Sequence, residues 1–384
     1  MTDSVRLYAG TYDGIQVLNA RGGAAQPVSH AFSDEIVQAL CGSLAKPGRI
    51  FVGLRNGLYR SEDAGLQWRK VLDGDFRSIA IDPTDDRVVY AGTDPVRLYR
   101  SEDAGDTWEE LTSLQGLPEE THQKLGELAP ADVAGAQQQG FRHRRQDWWF
   151  PVPPHQGHIL NMFIHPENPD RLLLAIEHGG VARSNDRGRT WEDVSQGIDY
   201  LDMHVVVSLP PRFERYFVTS ARGLYTADDP ANGWTPAQNG IDRDYFHDLI
   251  LLSATNDGDP SMIVATADGS PGFWPAIKGR EHWVNTEVGS RAALFRSTDR
   301  GQSWQRIGAG QGLPVEMGPM IWALCADPTD TTSLFAGVGE SAAVPSPSRR
   351  GAVGALLASR DGGDSWQTIR SEMAAVEHIF ATPE

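Results

Sequence analysis

Ser101-Glu-Asp103-Ala-Gly105-Asp-Thr-Trp108 is one of five near-copies in this chain. The others read Ser61-Glu-Asp63-Ala-Gly65-Leu-Gln-Trp68, Ser184-Asn-Asp186-Arg-Gly188-Arg-Thr-Trp191, Ser297-Thr-Asp299-Arg-Gly301-Gln-Ser-Trp304 and Ser359-Arg-Asp361-Gly-Gly363-Asp-Ser-Trp366, with a loosened sixth at Thr226, Asp228 and Trp234. An Asp two residues before Gly is turn chemistry: the carboxylate accepts hydrogen bonds from N–H groups of the turn, and Gly supplies a positive φ. A short apolar run precedes each copy (Leu58-Tyr, Leu98-Tyr, Leu294-Phe) and Trp opens the next, so each copy joins two antiparallel strands and each Trp is placed to pack between repeats. Recurrence at a period of about 40 residues marks a repeat protein built from one supersecondary unit.

These turns resemble the Asp-box (BNR) repeats of sialidase-like β-propellers. The resemblance covers nearly the whole chain and implies an all-β fold of radially arranged four-stranded blades. It leaves function open, because such boxes occur in enzymes, receptors and assembly factors alike. A sialidase proper is not expected: there is no Arg-Ile-Pro segment, and Arg55, Arg77 and Arg222 do not assemble with assurance into a three-arginine carboxylate clamp.

The boxes fix seven blades, A innermost to D outermost. Blade 2 has strand A near 36–41, B near 50–53, C near Leu58 and D after Trp68; blade 3 has A over 76–81, B over 88–92, C at Leu98 and D after Trp108. Blades 4, 5, 6 and 7 begin near His158, Asp202, Tyr245 and Met320. Leu7-Tyr-Ala-Gly-Thr11 matches the B strand Val89-Tyr-Ala-Gly-Thr93, so the chain enters blade 1 one strand late, and the tail from Val376 to Pro383 has the A-strand pattern that completes it. Such closure removes an exposed sheet edge. The 384 residues are therefore expected to form one propeller domain with insertions at about 113–157, 268–290 and 339–351, all on one face, opposite the boxes.

Lys plus Arg of 34 against Asp plus Glu of 51 gives a formal charge of −17, which argues against nucleic acid or an anionic membrane as partner. No leader-like start and no long apolar run is apparent, so a cytoplasmic location is the expectation. Cys41 and Cys325 fall in inner strands of non-adjacent blades and are expected to be reduced.

Aligned A strands put Gln38, Arg77, Leu160, His204, His247, Trp322 and Glu377 at one level, and the B-to-C loops add Tyr12, Asp13, Asn56, Asp94, Glu177, His178 and Glu340. Imidazole with carboxylate is an ordinary first shell for a divalent ion, so His158, His178, His204 and His247 are the metal-ligand candidates, with Zn, Mn and Ca undistinguished and no organic cofactor indicated. The bland alternative is a watery channel lined by hydrogen-bonded polar groups. Without metal, His204 or His247 can serve as general base, oriented by Glu377, Glu177 or Asp248.

The first insertion carries Phe141-Arg-His-Arg-Arg-Gln-Asp-Trp-Trp-Phe150, a basic and aromatic run in an acidic chain. Arg144 and Arg145 suit an anionic ligand, as does Arg77; Trp148, Trp149, Trp274, Trp322 and Tyr12 suit a sugar-stacking or apolar wall. The competing reading is that the rings glue the insertions to the rim and the arginines make surface ion pairs. The box aspartates are read as structural. Two functions stay in play: a hydrolase or lyase acting on a small polar, sugar-like or anionic substrate in a His-rich pocket, with a divalent metal as an optional aid, and a non-catalytic propeller holding a protein or other ligand at the insertion rim.

Overall fold

The computed structural model describes residues 4–21, 23–116, 157–252, 260–268, 290–315, 317–339 and 354–384. The fold is all-β: seven four-stranded antiparallel sheets, the blades of a seven-bladed propeller. The second to seventh sheets span residues 39–72, 76–110, 158–193, 203–236, 245–307 and 320–373. The first has the order Val376–Pro383, Val5–Thr11, Gly14–Arg21, Ala24–Ala31, so the tail supplies the innermost strand, as the sequence pattern predicts. Among the described residues the only helical turns are 3-10 segments at Thr112–Gly116 and Pro230–Asn232.

The chain divides into two compact units, residues 51–60 with 69–236, and residues 1–50 with 61–68 and 237–384. The third, fourth and fifth sheets lie in the former and the first, sixth and seventh in the latter, with the second sheet's strands divided between them. Within each unit the core is laminar. Tyr90 and Leu98 of the third sheet pack with Ile159, Leu172 and Leu174 of the fourth; Leu173 and Val181 of the fourth pack with Val206 and Val218 of the fifth. In the other unit Leu7 and Ala381 of the first sheet pack with Phe335 and Leu356 of the seventh. Close stacking explains the shared Ala-Gly-Thr: a Cβ on Gly92 would come within 2.7 Å of Ile159 Cβ, and one on Gly10 within 2.6 Å of Val37 Cγ1.

The repeated turn has Ser as its hub. Ser101 Oγ donates to Asp103 Oδ1 at 2.8 Å and accepts from Gly105 N at 2.8 Å, while Asp103 Oδ1 accepts from Asp106 N and Thr107 N at 3.0 and 2.8 Å. The Gly N–H to Ser Oγ bond recurs at 2.8–2.9 Å in all five copies. The Gly φ values lie between +80 and +95°, as predicted, but the residue before it is also left-handed, including Ala64, Ala104, Arg187 and Arg300. Hydrogen bonding inside the turn evidently outweighs the modest cost of that conformation for a residue with a Cβ. The loosened sixth copy is different: Thr226 Oγ1 donates instead to Tyr216 O, and Asp229 caps the 3-10 turn Pro230–Asn232. Neither cysteine is in a disulfide, and burial pushes the Cys325 thiol up to about 12.

Six of the inner strands carry a register irregularity, and at each lies a residue that sequence alignment puts at one level: Arg77, Leu160, His204, His247, Trp322 and Glu377. A bulge opposes two residues to one, breaks the ladder locally and re-aims a side chain. The backbone groups so disturbed are satisfied from outside the ladder. Val205 N donates to Thr219 Oγ1 at 3.1 Å and Val206 N to Asn161 Oδ1 at 3.1 Å; in the other unit Leu324 N donates to Asp248 Oδ2 at 2.6 Å.

Candidate functional site

The bulged ends of the fourth and fifth sheets bring four of the sequence-predicted residues together. His158, the first residue of His158–Ile164, is in register with Glu177, the last of Leu172–Glu177. Directly opposed residues on neighbouring strands meet, and His158 Nε2 lies 2.6 Å from Glu177 Oε2. The chain then reverses: Gly179 N donates to Ile176 O at 3.0 Å, and His178 takes φ +57°. That uncommon conformation for a residue with a side chain turns the imidazole back, with Nε2 3.3 Å from Glu177 Oε1.

Gly180 N donates to Leu201 O at 3.1 Å, tying the turn to the entry of the fifth sheet. Asp202 stands there, with Oδ1 3.9 Å from His178 Nδ1 and 3.8 Å from His204 Nε2. Asp202 is 7% exposed, and its Oδ1 has no hydrogen-bond partner among the described residues. Asp94, after the third sheet's strand Val89–Thr93, approaches from the other side, with Oδ2 4.0 Å from His158 Nδ1.

Electrostatics in this cluster diverge. Burial raises the Glu177 carboxyl, but the paired His158 and the His178 bond outweigh it and hold the group well below its ordinary value. Burial likewise lowers the His178 imidazole, yet the Asp202 and Glu177 carboxylates win and the net shift is upward. Asp202 is raised, chiefly by burial and against the pull of His178. Carboxyls a few ångströms apart with opposite shifts are a common signature of functional sites, because maintaining buried charge is costly.

The remaining predicted residues have other neighbours. Arg77 is held by two carboxylates, Nε 3.1 Å from Asp75 Oδ1 and Nη2 3.0 Å from Asp94 Oδ2, so its charge is compensated. Arg222 lies over the Tyr200 ring at 5.5 Å. His247 belongs to the other unit, stacked on Tyr245 with 6.0 Å between centroids and edge-on to Trp322 at 4.9 Å. Trp322 Nε1 donates to Gly339 O at 3.2 Å, and Tyr12 Oη donates to Glu377 Oε1 at 2.7 Å. Asp248, predicted to orient an imidazole, instead accepts from the backbone N–H groups of Leu249 and Leu324. Arg144, Arg145, Trp148, Trp149, Trp274 and Glu340 lie outside the described residues, as do most of the three predicted insertions.

Asp202 is the member of this cluster that sequence reasoning passed over, noting it only as the start of a blade. Its signal was available: an acidic residue two positions before an inner-strand His, hence on the same side of an extended segment.

No protein-family model and no curated protein sequence matches the chain. Solved structures do match. The GH74 xyloglucanase from Xanthomonas campestris is 18% identical, over 86% of this chain and 45% of that one, with a TM-score of 0.55. The GH74 enzyme of Niastella koreensis is 16% identical over 94% of this chain and 46% of that one, with a TM-score of 0.57. YCF48 bound to D1 peptide is 14% identical over 90% and 92%, with a TM-score of 0.48. The chain spans about half the length of these GH74 proteins, and at such identities the likeness to them shows the propeller fold alone.

Proposed function

We propose that the protein is a hydrolase or lyase acting on a small polar, sugar-like or anionic substrate, with His158 and His204 as the acid–base pair, Glu177 orienting His158 and the Asp202 carboxylate facing His204 to favour its charged form. The observation that carries this reading is a largely buried cluster in which two imidazoles each face a carboxylate, His158 on Glu177 and His204 on Asp202, with Asp202 Oδ1 unpartnered. In hydrolysis one imidazole takes a proton from the attacking water while the other gives one to the leaving oxygen. In elimination the same two groups remove the proton next to an acidifying group and protonate the leaving oxygen. A propeller fold of this kind carries a xyloglucanase, which favours a sugar-like substrate among these classes. The repeated turns support membership of the Asp-box group, whose boxes serve the scaffold.

The test is a panel of aryl glycosides, uronate-containing oligosaccharides and lactones. Turnover of one class is expected, with H204Q and E177Q each lowering kcat by about 10²- to 10⁴-fold while melting within a few degrees of the parent. Binding of a panel member without turnover, equally tight in parent and H204Q, would establish the competing function of a non-catalytic binding or assembly propeller.

A further inference from the structure

We infer that Glu177, His178 and Asp202 form a binding site for one first-row divalent transition-metal ion, in the range Mn²⁺ to Zn²⁺. Each residue offers one ligand atom, and the three atoms lie within 4.8 Å of one another. Around an ion with bonds of about 2.1 Å, ligand atoms stand about 3.0 Å apart when adjacent and about 4.2 Å when opposed. The gaps from Asp202 Oδ1 to His178 Nδ1 and to His204 Nε2, 3.9 and 3.8 Å, are too long for hydrogen bonds and of the size an intervening ion fills.

The second observation is Asp202 itself. An oxygen buried in a residue 7% exposed, facing two imidazoles and bonded to neither, is an uncompensated acceptor. Leaving such a group unmade costs stability, and a cation removes that cost directly. The surroundings suit an ion. His158 engages Glu177 through Oε2 and fixes the carboxylate's orientation as an outer-shell partner does, while Oε1 faces the His178 ring with Nε2 at 3.3 Å. Asp75 and Asp94 add negative charge nearby, against which Arg77 sets one positive charge. One imidazole nitrogen with two carboxylate oxygens, and His204 at the margin, selects a borderline ion over Mg²⁺ or Ca²⁺, which favour all-oxygen shells. The site shares Glu177 and Asp202 with the proposed acid–base chemistry but rests on the ligand spacing and the unpartnered Asp202 oxygen, so loss of one reading does not remove the other.

The full chain, dialysed against chelator and then given MnCl₂ or ZnCl₂, should retain about one equivalent by elemental analysis and show saturable binding by calorimetry. H178N and D202N should each weaken that binding by more than the about 10- to 100-fold typical of losing an outer-shell partner, whereas H30Q, a surface histidine of the other unit, should bind like the parent. Retention of less than about a tenth of an equivalent by the parent, or equal affinity in D202N, overturns the assignment in favour of a metal-free His178 imidazolium bridging the two carboxylates. Should the variants not fold, electron spin-echo spectra of Mn²⁺ in the parent decide: imidazole nitrogen coupling is required, and its absence overturns the site.

Discussion

Asp248 shows how one buried carboxyl is spent on the backbone. Its two oxygens accept from Leu249 N at 2.8 Å and Leu324 N at 2.6 Å, and burial, partly offset by those bonds, raises it to about 6. An unfolded Asp titrates near 3.9. The folded chain therefore binds the extra proton between those values, so this group favours folding increasingly as pH falls from 7 toward 4. Two units amount to on the order of 2–3 kcal/mol. D248N should flatten the pH dependence of unfolding free energy between pH 7.5 and 4.5 by about that much, read by denaturant melts at each pH; an unchanged dependence would refute the assignment. Legibility at this scale was uneven. His158, Glu177, His178 and His204 were readable because strand alternation and blade alignment put them at corresponding positions. The roles of Asp202 and Asp248 were not, because each depends on a neighbour in another sheet that no local spacing announces.

At the scale of the element, the repeated turn distributes its work between a buried serine and an exposed aspartate. Ser101 is 1% exposed and its Oγ is the acceptor for the buried Gly105 N–H. S101A leaves that donor unpaired and should cost about 1–3 kcal/mol, measured as a lower denaturation midpoint at unchanged m-value. D103N keeps one side-chain oxygen and should cost clearly less; equal losses would mean that the carboxylate, not the hydroxyl, holds the turn. The Ser-x-Asp-x-Gly spacing disclosed the turn and its positive-φ glycine. It did not disclose the second left-handed residue, since Ala104 and Arg187 are poor local choices for that conformation and adopt it only because the completed hydrogen-bond set requires it.

The bulges belong to the same scale. The positions from Arg77 to Glu377 were legible as corresponding places in successive inner strands, but the irregularity at each was not. A bulge depends on which partner residue each strand residue opposes, and that is a property of the pair of strands.

For the whole molecule, the joined termini are the decisive contact. Val376–Pro383 pairs along the full length of Val5–Thr11, and Val376, Ala381 and Thr382 are at most 2% exposed. Phe380 packs on Tyr8 at 6.2 Å between ring centroids. Removing residues 376–384 strips a sheet of its inner strand and uncovers several apolar side chains, each worth about 1.5–3 kcal/mol when fully buried. Against a typical net stability of about 5–15 kcal/mol, the truncated chain should lose its cooperative thermal transition. A synthetic 374–384 peptide added in trans should restore it in part. A truncation that melts cooperatively at the parent's temperature would show that the tail strand is dispensable.

The sequence by itself determined the repeat, the strand order within each blade and the splice of tail to head, because period, alternation and turn chemistry are local and are written residue by residue. Only the tertiary structure decided that His178 folds back upon Glu177, that Asp202 is left with an unpartnered oxygen between two imidazoles, and that Arg77 is neutralised by two carboxylates. Those facts depend on distances of a few ångströms between side chains brought together by turns, bulges and neighbouring strands, where burial and charge pairing, not propensity, set the outcome.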